Sequence, residues 1–298
     1  MAENSKIEWC HHTYNLWWGC QEVSPGCDNC YARTLAQRLK PELKLWGDGS
    51  SRLTILHSFN SQKTVNAPLK WNRIAGELGE RHRVFCSSMA DVFDNYRKGA
   101  LDEERDFLWT MIRKTPHLDW LLLTKRLGNV AKMLPPDLAR MHNVWLGISV
   151  VNQEEADRDI PKLLATPARV RFLSCEPLLG PLDFSGRWVD HANPAIHENV
   201  LEALDWVIAG GESGPGARPS HPDWFGSLRD QCVVAGVPFL FKQWGEWAPD
   251  CICGRDSACR ETPRPTPGKP GVMFRCGKKE AGRSLNYKVW DQFPELQR

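Results

Sequence analysis

Three cysteines lie close together near the start of the chain, in the segment WWGCQEVSPGCDNCYA at residues 17 to 32. We call Cys20, Cys27 and Cys30 the cysteine triplet. A tetrahedral zinc site would need a fourth ligand. Three nearby side chains could supply it, namely Cys10, His11 and His12. An iron–sulfur cluster held by only three thiolates would instead leave one iron open to an exogenous ligand, so the triplet predicts either a closed structural site or an open reactive one.

The cellular location decides how these cysteines are interpreted. The N-terminal segment MAENSKIEWCHH lacks the apolar core of a signal peptide, and no apolar stretch approaches about eighteen residues, so we expect a cytoplasmic protein without membrane contact. A reducing cytosol disfavours structural disulfides, and the total of 11 cysteines is odd. Metal binding or catalysis is therefore the favoured role of the cysteine triplet.

The elements that must position the triplet are indicated by a repeated rhythm of short apolar runs, each followed by a helix-like segment. The runs occupy residues 83–93, 118–126, 143–153, 169–181, 204–216 and 237–247. Their apolar parts are continuous rather than alternating, which is typical of parallel strands covered on both faces by helices. With a first strand near KIEW or YNLWW the count reaches seven, which predicts an α/β fold. We expect a complete or partial TIM-type (β/α) barrel over residues 1–248, with an open doubly wound sheet as the alternative.

Three segments carry helix signals that support this architecture. DEERDFLWTMIRK places Leu108 and Ile112 on one face behind acidic starting residues, and HPDWFGSLRDQCVVAG stops at Gly236. Cys30 opens the predicted helix CYARTLAQRLK, so the cysteine triplet would lie on the loop after the first strand. Barrel active sites form at that end of the strands.

Polar residues also follow the other predicted strands, where they would converge on the same end of a barrel. They are Ser87, Ser88, Asp91, Thr124, Lys125, Arg126, Ser149, Asn152, Glu176, Glu212, Ser213, Lys242, Gln243 and Glu246. The alternative is that strand ends are polar simply because loops are solvated.

The cysteine loop on a (β/α) barrel resembles that of the radical S-adenosylmethionine enzymes, and GCDNCYA is similar to the second half of their loop. The order of the motifs WWGC, CDNCYA, LTKR, GISV, LSCEPLLGP, GGESGPGARP and KQWGEW resembles the phage Gp37/Gp68 family, over residues 6 to 247 and again at FRCGKKEAGRSL. The resemblance implies a [4Fe–4S] cluster on the cysteine triplet, with S-adenosylmethionine on the open iron. It also implies an electron donor such as flavodoxin or ferredoxin.

The resemblance implies further residues that would hold S-adenosylmethionine. Radical enzymes of this kind carry a Gly-Gly-Glu for the methionine amino group, and the chain has one such triplet, at residues 210–212. A methionine carboxylate needs cations or hydroxyl donors, and a ribose diol needs an acceptor. We therefore predict Lys125, Glu176 and Lys242 as catalytic residues, and Ser87, Asp91, Ser149, Gly210, Gly211 and Glu212 as cofactor-binding residues. Lys125 and Lys242 could equally hold a substrate phosphate, and Glu176 could equally be a salt-bridge partner.

Residues 249–298 form a separate predicted region, a basic C-terminal extension. Between residues 251 and 288 the chain has nine Lys and Arg against three Asp and Glu, which indicates either a nucleic-acid contact or a solvated basic surface. Four cysteines flank its Pro/Gly-rich stretch ETPRPTPGKPG, namely Cys251, Cys253, Cys259 and Cys276. They are a candidate second site for zinc or for another iron–sulfur cluster.

The remaining cysteines and the clustered tryptophans have simpler interpretations. We expect Cys86, Cys175 and Cys232 to be buried core residues. Five tryptophans could either pack in the core or stack on a nucleobase, and they are Trp9, Trp17, Trp18, Trp244 and Trp247.

Two functions from different classes follow from these observations. The first is a radical S-adenosylmethionine-type enzyme that modifies or repairs a nucleobase or nucleotide in DNA or RNA. The second is a non-catalytic barrel, stabilised by zinc or an iron–sulfur cluster, that binds nucleic acid or a partner protein. A fourth protein ligand from Cys10 or His12 would decide for the second function, because no iron would then be open.

Overall fold

The computed structural model describes residues 2–56, 61–189, 196–249, 260–261 and 273–295. Its main sheet has eight strands, which we number in chain order and which are also neighbours in that order. The strands are β1 (Ala2–Glu3), β2 (His12–Tyr14), β3 (His82–Cys86), β4 (Leu118–Thr124), β5 (Val144–Ser149), β6 (Val170–Cys175), β7 (Trp206–Gly210) and β8 (Phe239–Gln243). The strand β1 pairs antiparallel with β2, whereas the pairs β2–β3, β3–β4, β4–β5, β6–β7 and β7–β8 are parallel.

The predicted α/β class and the predicted strands are largely confirmed. Each of the six apolar runs contains one strand, and β2 to β8 make the expected seven. Every residue of β5 and β7 is buried, as expected for strands covered on both faces. The first of the seven strands lies at His12–Tyr14 and ends on the first residue of YNLWW, one of the two segments proposed for it. Among the described residues no pairing joins β8 to β1 or β2, so the structure establishes a mixed α/β fold with a mostly parallel sheet but does not show a complete barrel.

Among the described residues, six helices of seven residues or more accompany these strands. They are α1 (Tyr31–Leu39), α2 (Ala67–Leu78), α3 (Asp102–Lys114), α4 (Leu127–Met133), α5 (Gln153–Leu164) and α6 (Pro222–Ala235). The helix α3 begins with acidic and ends with basic residues, which complements the helix dipole, and it buries Leu108 and Ile112. The helix α6 ends at Gly236, whose φ of 69° is the left-handed cap that glycine favours. The helix predictions for these two segments are confirmed.

Shorter elements complete the described chain. Trp17–Trp18 pairs with Leu53–Thr54, and Ser185–Val189 pairs with Ile196–Asn199. Phe274–Arg275 lies between Trp247–Ala248 and Arg260–Glu261 in a small antiparallel sheet. The short helical segments are Pro25–Cys27, Ser61–Val65, Leu138–Arg140, Val200–Ala203 and Lys278–Ala281.

The chain divides into two compact units. The first unit comprises Met1–Ser24, Ala32–Ile148 and Thr166–Arg171, and the second comprises Pro25–Tyr31, Ser149–Ala165 and Phe172–Arg298. The predicted boundary after residue 248 stays a prediction, because residues 250–259 and 262–272 lie outside the described part of the chain.

Residues near the end of the chain cover the outer edge of β8 in the second unit. The amide of Phe241 donates to the carbonyl of Trp290 at 3.0 Å, and the amide of Phe239 donates to the side chain of Gln292 at 3.0 Å. The carbonyl of Gln292 accepts from the indole nitrogen of Trp206 at 2.9 Å. These bonds use backbone groups that an open sheet edge would otherwise expose. Within the described residues, every helix is too short or too polar to cross a lipid bilayer.

Three histidines lie at the amino ends of β2 and β3 in the first unit. His12 Nε2 is 3.1 Å from His82 Nδ1, and the ring of His12 stacks on Trp71 at 4.2 Å. His11 stacks on His82 at 4.9 Å and accepts a hydrogen bond from the amide of Arg83. Burial lowers the pKa of His11 to about 4, helped by the charge of Arg83, and burial together with His82 lowers the pKa of His12 to about 4. Both imidazoles are therefore neutral in the folded protein at neutral pH.

These lowered pKa values predict an acid-sensitive stability. As the pH falls from about 6.5 to about 4, the unfolded chain binds protons on both imidazoles before the folded chain does, so the free energy of unfolding should decrease. The two shifts set an upper limit of about 7 kcal/mol, and solvent screening of both rings makes the decrease smaller. Urea unfolding at a series of pH values measures this slope. His12→Phe should flatten it, because the buried imidazole at this position is then absent. Equal slopes for the wild type and His12→Phe would contradict the assignment.

Candidate functional site

In the first unit, Asp91 lies at the carboxyl end of β3 and is held by groups from the end of β4. Its side chain accepts hydrogen bonds from the hydroxyl of Thr124 at 2.8 Å and from the amide of Lys125 at 3.1 Å. The amide of Phe93 donates to it at 2.9 Å. Burial raises the pKa of Asp91, although the nearby Arg126 guanidinium and these hydrogen bonds act in the opposite direction. Asp91 therefore has internal partners and is 7% exposed.

Arg126, the last residue of the LTKR motif, lies beside Cys20 in the same unit. Its Nη2 donates to the carbonyl of Gln21 at 2.7 Å and is 3.9 Å from the sulfur of Cys20. Its Nε is buried and has no hydrogen-bond partner among the described residues, with the nearest carboxylate oxygen of Asp91 at 4.0 Å. Burial and the charge of Asp91 raise the pKa of the Cys20 thiol to about 12, while Arg126 lowers it. Arg126 is thus the counter-charge that favours a thiolate at Cys20.

A second buried ion pair supports this region. Arg52 Nε lies 2.7 Å from Asp94 Oδ2, and both side chains are 2% exposed. The carbonyl of Asp94 accepts from Arg105 at 2.9 Å. This pair neutralises Asp94 next to Arg126, whose Nη2 is 4.0 Å away.

The two other predicted residues of the first unit have different surroundings. Ser87 is buried, with its hydroxyl 3.4 Å from the sulfur of Cys86. The side chain of Lys125 is half-exposed, and the described residues provide no ion-pair or hydrogen-bond partner for its ammonium group. Lys125 is therefore a cation available to a ligand at this end of the strands.

In the second unit, Glu176 and Lys242 form an ion pair across the end of β7. Lys242 Nζ lies 2.9 Å from Glu176 Oε1, with the side chains 18% and 12% exposed, and the hydroxyl of Ser174 donates to Glu176 Oε2 at 3.2 Å. A Cβ on Gly210 would lie 3.0 Å from Glu176 Oε1. The absence of a side chain at Gly210 therefore leaves room for the pair, which joins the ends of β6 and β8.

The following glycine, Gly211, lies even closer to a neighbouring segment of backbone. A Cβ on Gly211 would lie 1.8 Å from the carbonyl oxygen of Trp244, and one on Gly245, where φ is +87°, would lie 2.1 Å from the carbonyl oxygen of Glu212. The amide of Gly211 donates to the carbonyl of Gln243 at 2.9 Å. The segments after β7 and β8 thus approach each other backbone to backbone, which only glycine permits at these two positions.

Cys27 and Cys30 lie on a tight turn that also belongs to the second unit. Cys27 ends the helical turn Pro25–Cys27, and the amide of Cys30 donates to the carbonyl of Cys27 at 3.2 Å. Both cysteines are half-buried. No disulfide joins any cysteine that the structure describes.

Glu212 and Arg218 hold this turn. Arg218 Nη2 donates to Glu212 Oε1 at 2.7 Å and to the carbonyl of Pro25 at 2.8 Å, while its Nη1 donates to Asp28 at 2.8 Å. Asn29 Nδ2 donates to Glu212 Oε2 at 3.0 Å. Burial alone would raise the pKa of Glu212, but the hydrogen bonds from Arg218 and Asn29 outweigh it and hold the pKa below its usual value. Glu212 is therefore ionised, and both of its carboxylate oxygens accept hydrogen bonds.

The other predicted site residues are described only in part. Ser149 is buried at the end of β5. Cys276 is half-buried, and its amide donates to the carbonyl of Glu246 at 3.0 Å. Cys251, Cys253 and Cys259 lie outside the described residues. Among the residues that are described, no group of three or more His, Cys, Asp or Glu side chains is arranged to hold a metal ion as it stands.

The core assignments made from the sequence are confirmed for several residues. Cys86, Cys175 and Cys232 are 1% exposed or less. Trp9, Trp17 and Trp244 are buried, so they pack in the interior, whereas Trp18 and Trp247 are half-buried. The indole nitrogen of Trp247 donates to the carbonyl of Ala217 at 2.8 Å.

Comparison with known protein families gives one match. The family model described as "Protein of unknown function (DUF5131)" matches residues 4–294. The chain belongs to the DUF5131 family. No curated protein and no solved structure matches it. The match to DUF5131 includes residues of both compact units, with the strands β2 to β8 and the cysteine triplet.

Sequence reasoning assigned no individual role to three residues of this DUF5131 protein that contact the predicted ones. Arg126 was only one of the polar residues at the strand ends, Arg218 lies within the GGESGPGARP motif, and Asn29 lies between two predicted cysteine ligands. The available signal was an arginine six residues after Glu212 and another directly after Lys125. Basic residues at such strand ends have many potential partners, so their actual contacts could not be inferred from spacing.

The close approach at Gly211 predicts a large cost for any side chain. Gly211→Ala should lower the free energy of unfolding by about 3 kcal/mol, because the backbone carrying Trp244 must move. Gly226→Ala in α6 is the matched control, since nothing lies within 4 Å of its Cβ position. The control should be neutral or stabilising by about 0.5 kcal/mol. Urea unfolding measures both, and equal losses would contradict the steric explanation.

The ion pair across β7 predicts a coupling between its two members. Lys242→Met should lower the free energy of unfolding by about 2 kcal/mol, because Glu176 keeps a mostly buried charge without its cation. The double variant with Glu176→Gln should recover part of this loss. A double-mutant cycle from urea unfolding provides the coupling energy. Strictly additive effects would show that the two side chains do not interact energetically.

Proposed function

We propose that this protein is a radical S-adenosylmethionine-type enzyme whose cysteine triplet holds a [4Fe–4S] cluster with one open iron. Its substrate is a nucleobase or nucleotide, which it modifies or repairs. Such a cluster supplies reductive cleavage of S-adenosylmethionine to a 5′-deoxyadenosyl radical, with electrons from a donor such as flavodoxin or ferredoxin. The proposal includes the likeness to the phage Gp37/Gp68 family and a partial (β/α) barrel as the scaffold.

The observation that carries the proposal is the distance between Cys20 and the histidines that could have closed its site. Cys20 follows Gly19, whose amide donates to the carbonyl of Met89 beyond the carboxyl end of β3. His12 bonds instead to His82 at the amino end of the same strand. Five extended residues separate these two ends, or about 13 Å at about 3.3 Å per residue. Three thiolates without a histidine are the donor set that leaves an iron open.

The chemistry around Cys20 suits a negatively charged sulfur cluster. Arg126 brings a positive charge to 3.9 Å from the Cys20 sulfur, and its buried Nε–H has no acceptor among the described residues. Hydrogen bonds to the sulfurs help set the reduction potential of iron–sulfur clusters. The raised pKa of Cys20 means that metal binding must displace a proton from this thiol.

The chain's own residues would then bind and orient the organic ligands. Lys125 offers a cation to a carboxylate or phosphate at the carboxyl end of β4. Glu176 and Lys242 offer an acceptor and a donor for a ribose or a base. In the C-terminal part, Lys278, Lys279 and Lys288 are exposed and basic, which supports contact with a nucleic-acid backbone.

Anaerobic purification with iron and sulfide analysis tests the cluster, and electron paramagnetic resonance of the reduced protein tests the open iron. We expect about four irons per chain and a spectrum that changes when S-adenosylmethionine is added. Cys27→Ala should lose the cluster. Cys232→Ala, at a fully buried position in α6, is the matched control and should retain it.

Two outcomes would contradict the enzyme. Zinc without iron, or a spectrum indifferent to S-adenosylmethionine, would exclude an open iron. Loss of metal on Cys10→Ala with retained folding would identify a fourth protein ligand and a closed site.

A non-catalytic barrel, stabilised by zinc or an iron–sulfur cluster, is the second candidate and would bind nucleic acid or a partner protein. The pairing of Glu176 with Lys242 and of Glu212 with Arg218 favours it, because paired groups at strand ends serve structure as readily as catalysis. The closed-site outcome of the same experiment would support this function.

A further inference from the structure

We propose that Arg218 and Glu212 are positioning residues for the turn that carries Cys27 and Cys30. The Gly-Gly-Glu segment then acts on the metal ligands and does not hold the methionine amino group of S-adenosylmethionine. This inference rests on the proposed function for its metal, but the geometry of the turn stands apart from it. We call Arg218, Glu212 and Asn29 the loop clamp.

Four hydrogen bonds within the loop clamp are donated to the Glu212 carboxylate. Oε2 accepts from Asn29 Nδ2 at 3.0 Å, from the amide of Arg218 at 2.8 Å and from Arg218 Nε at 3.0 Å. Oε1 accepts from Arg218 Nη2 at 2.7 Å. Each carboxylate oxygen offers about two lone-pair directions, so Oε2 is fully used and Oε1 keeps only one for an ammonium ligand. The side chain is also only 5% exposed.

Arg218 and Asn29 of the loop clamp also make hydrogen bonds around the turn that carries the two cysteines. Arg218 reaches the carbonyl of Pro25, two residues before Cys27, and the carboxylate of Asp28, directly after Cys27. Asn29, directly before Cys30, donates to the carbonyl of Gly216 at 2.9 Å as well as to Glu212. Two thiols on one short turn are thereby oriented by one guanidinium and one amide. Preorganisation of ligands in this way favours metal binding.

The segment between Glu212 and Arg218 is held in turn by hydrogen bonds to residues later in the chain. The amide of Gly214 donates to the side chain of Glu246 at 3.0 Å, and Arg275 Nη2 donates to the carbonyl of Pro215 at 2.6 Å. A Cβ on Gly216 would lie 2.5 Å from Asn29 Oδ1, so the absence of a side chain there lets the turn approach. The clamp therefore transmits the rigidity of the strand ends to the cysteines.

Alkylation of the metal-free protein tests the clamp without any cluster. In Arg218→Ala, iodoacetamide should modify Cys27 and Cys30 about tenfold faster than in the wild type, because charge-assisted hydrogen bonds no longer keep the turn closed. Cys20 should keep its wild-type rate, and mass spectrometry resolves the three sites. Arg218→Lys should fall between, because an ammonium cannot make the bidentate contact. Asn29→Ala removes the hydrogen bonds of Asn29 to Glu212 and Gly216 and leaves the Glu212–Arg218 pair in place.

Arg283→Ala is the matched control for general destabilisation. Arg283 is half-buried and pairs with Asp291 at 2.8 Å in the same unit, and its described contacts do not include the cysteine turn. Its alkylation pattern should equal that of the wild type. Thermal unfolding of every variant verifies that each remains folded.

Reconstitution with iron and sulfide provides the second readout. Arg218→Ala should retain less than half of the wild-type iron and broaden the resonance spectrum, while Arg283→Ala should match the wild type. Wild-type protein that binds no iron would contradict the proposed function, yet the alkylation rates would still decide the clamp. Wild-type alkylation rates at Cys27 and Cys30 in Arg218→Ala would overturn the clamp. So would Glu212→Gln if it kept those rates but abolished the spectral response to S-adenosylmethionine.

Discussion

Arg218 makes the interaction on which the cysteine turn depends. Its guanidinium joins Glu212, at the end of β7, to Pro25 and Asp28, which lie about 190 residues earlier in the chain. A planar group with five donors can satisfy a carboxylate and two further acceptors at once, which a lysine could not do. The burial of Glu212 makes this pairing obligatory, because an unpaired carboxylate at this depth would be costly. The position of Cys27 and Cys30 follows from that requirement.

Other mostly buried carboxylates at the strand ends are likewise paired with a cation. Glu176 is neutralised by Lys242, and Asp94 is neutralised by Arg52. Each partner comes from a different strand end or loop, so the ionic groups fix the loops relative to the strands of their own unit. Gly210 leaves room for the Glu176–Lys242 pair, and Gly211 and Gly245 let the segments after β7 and β8 approach each other. The carboxyl ends of the strands are thus rigid and largely self-paired, with Lys125 as an exception among the predicted catalytic side chains of the described chain.

Fold prediction identified the strands where the signal was local, and it left the closure of the sheet open between a complete and a partial barrel. Continuous apolar runs such as LDWLLLT are legible as covered parallel strands, because both faces of such strands need apolar residues. The first strand was located only approximately, near KIEW or YNLWW, since HTY is short and its strand pairing with β3 depends on a segment about 70 residues away. Whether the sheet closes into a barrel depends on long-range pairing that no residue pattern encodes.

For the candidate site, too, some features follow from the sequence and others only from the tertiary structure. The sequence by itself determined the composition of the site: a cysteine triplet with fixed spacing, and polar residues after each strand, because these follow from residue types and the period of the strands. Only the tertiary structure decided the partners. Glu212 pairs with Arg218 and Asn29, and Cys20 lies beside Arg126. The physical reason is that a charge selects its partner by distance and burial, and both are set only when segments far apart in the chain are packed together.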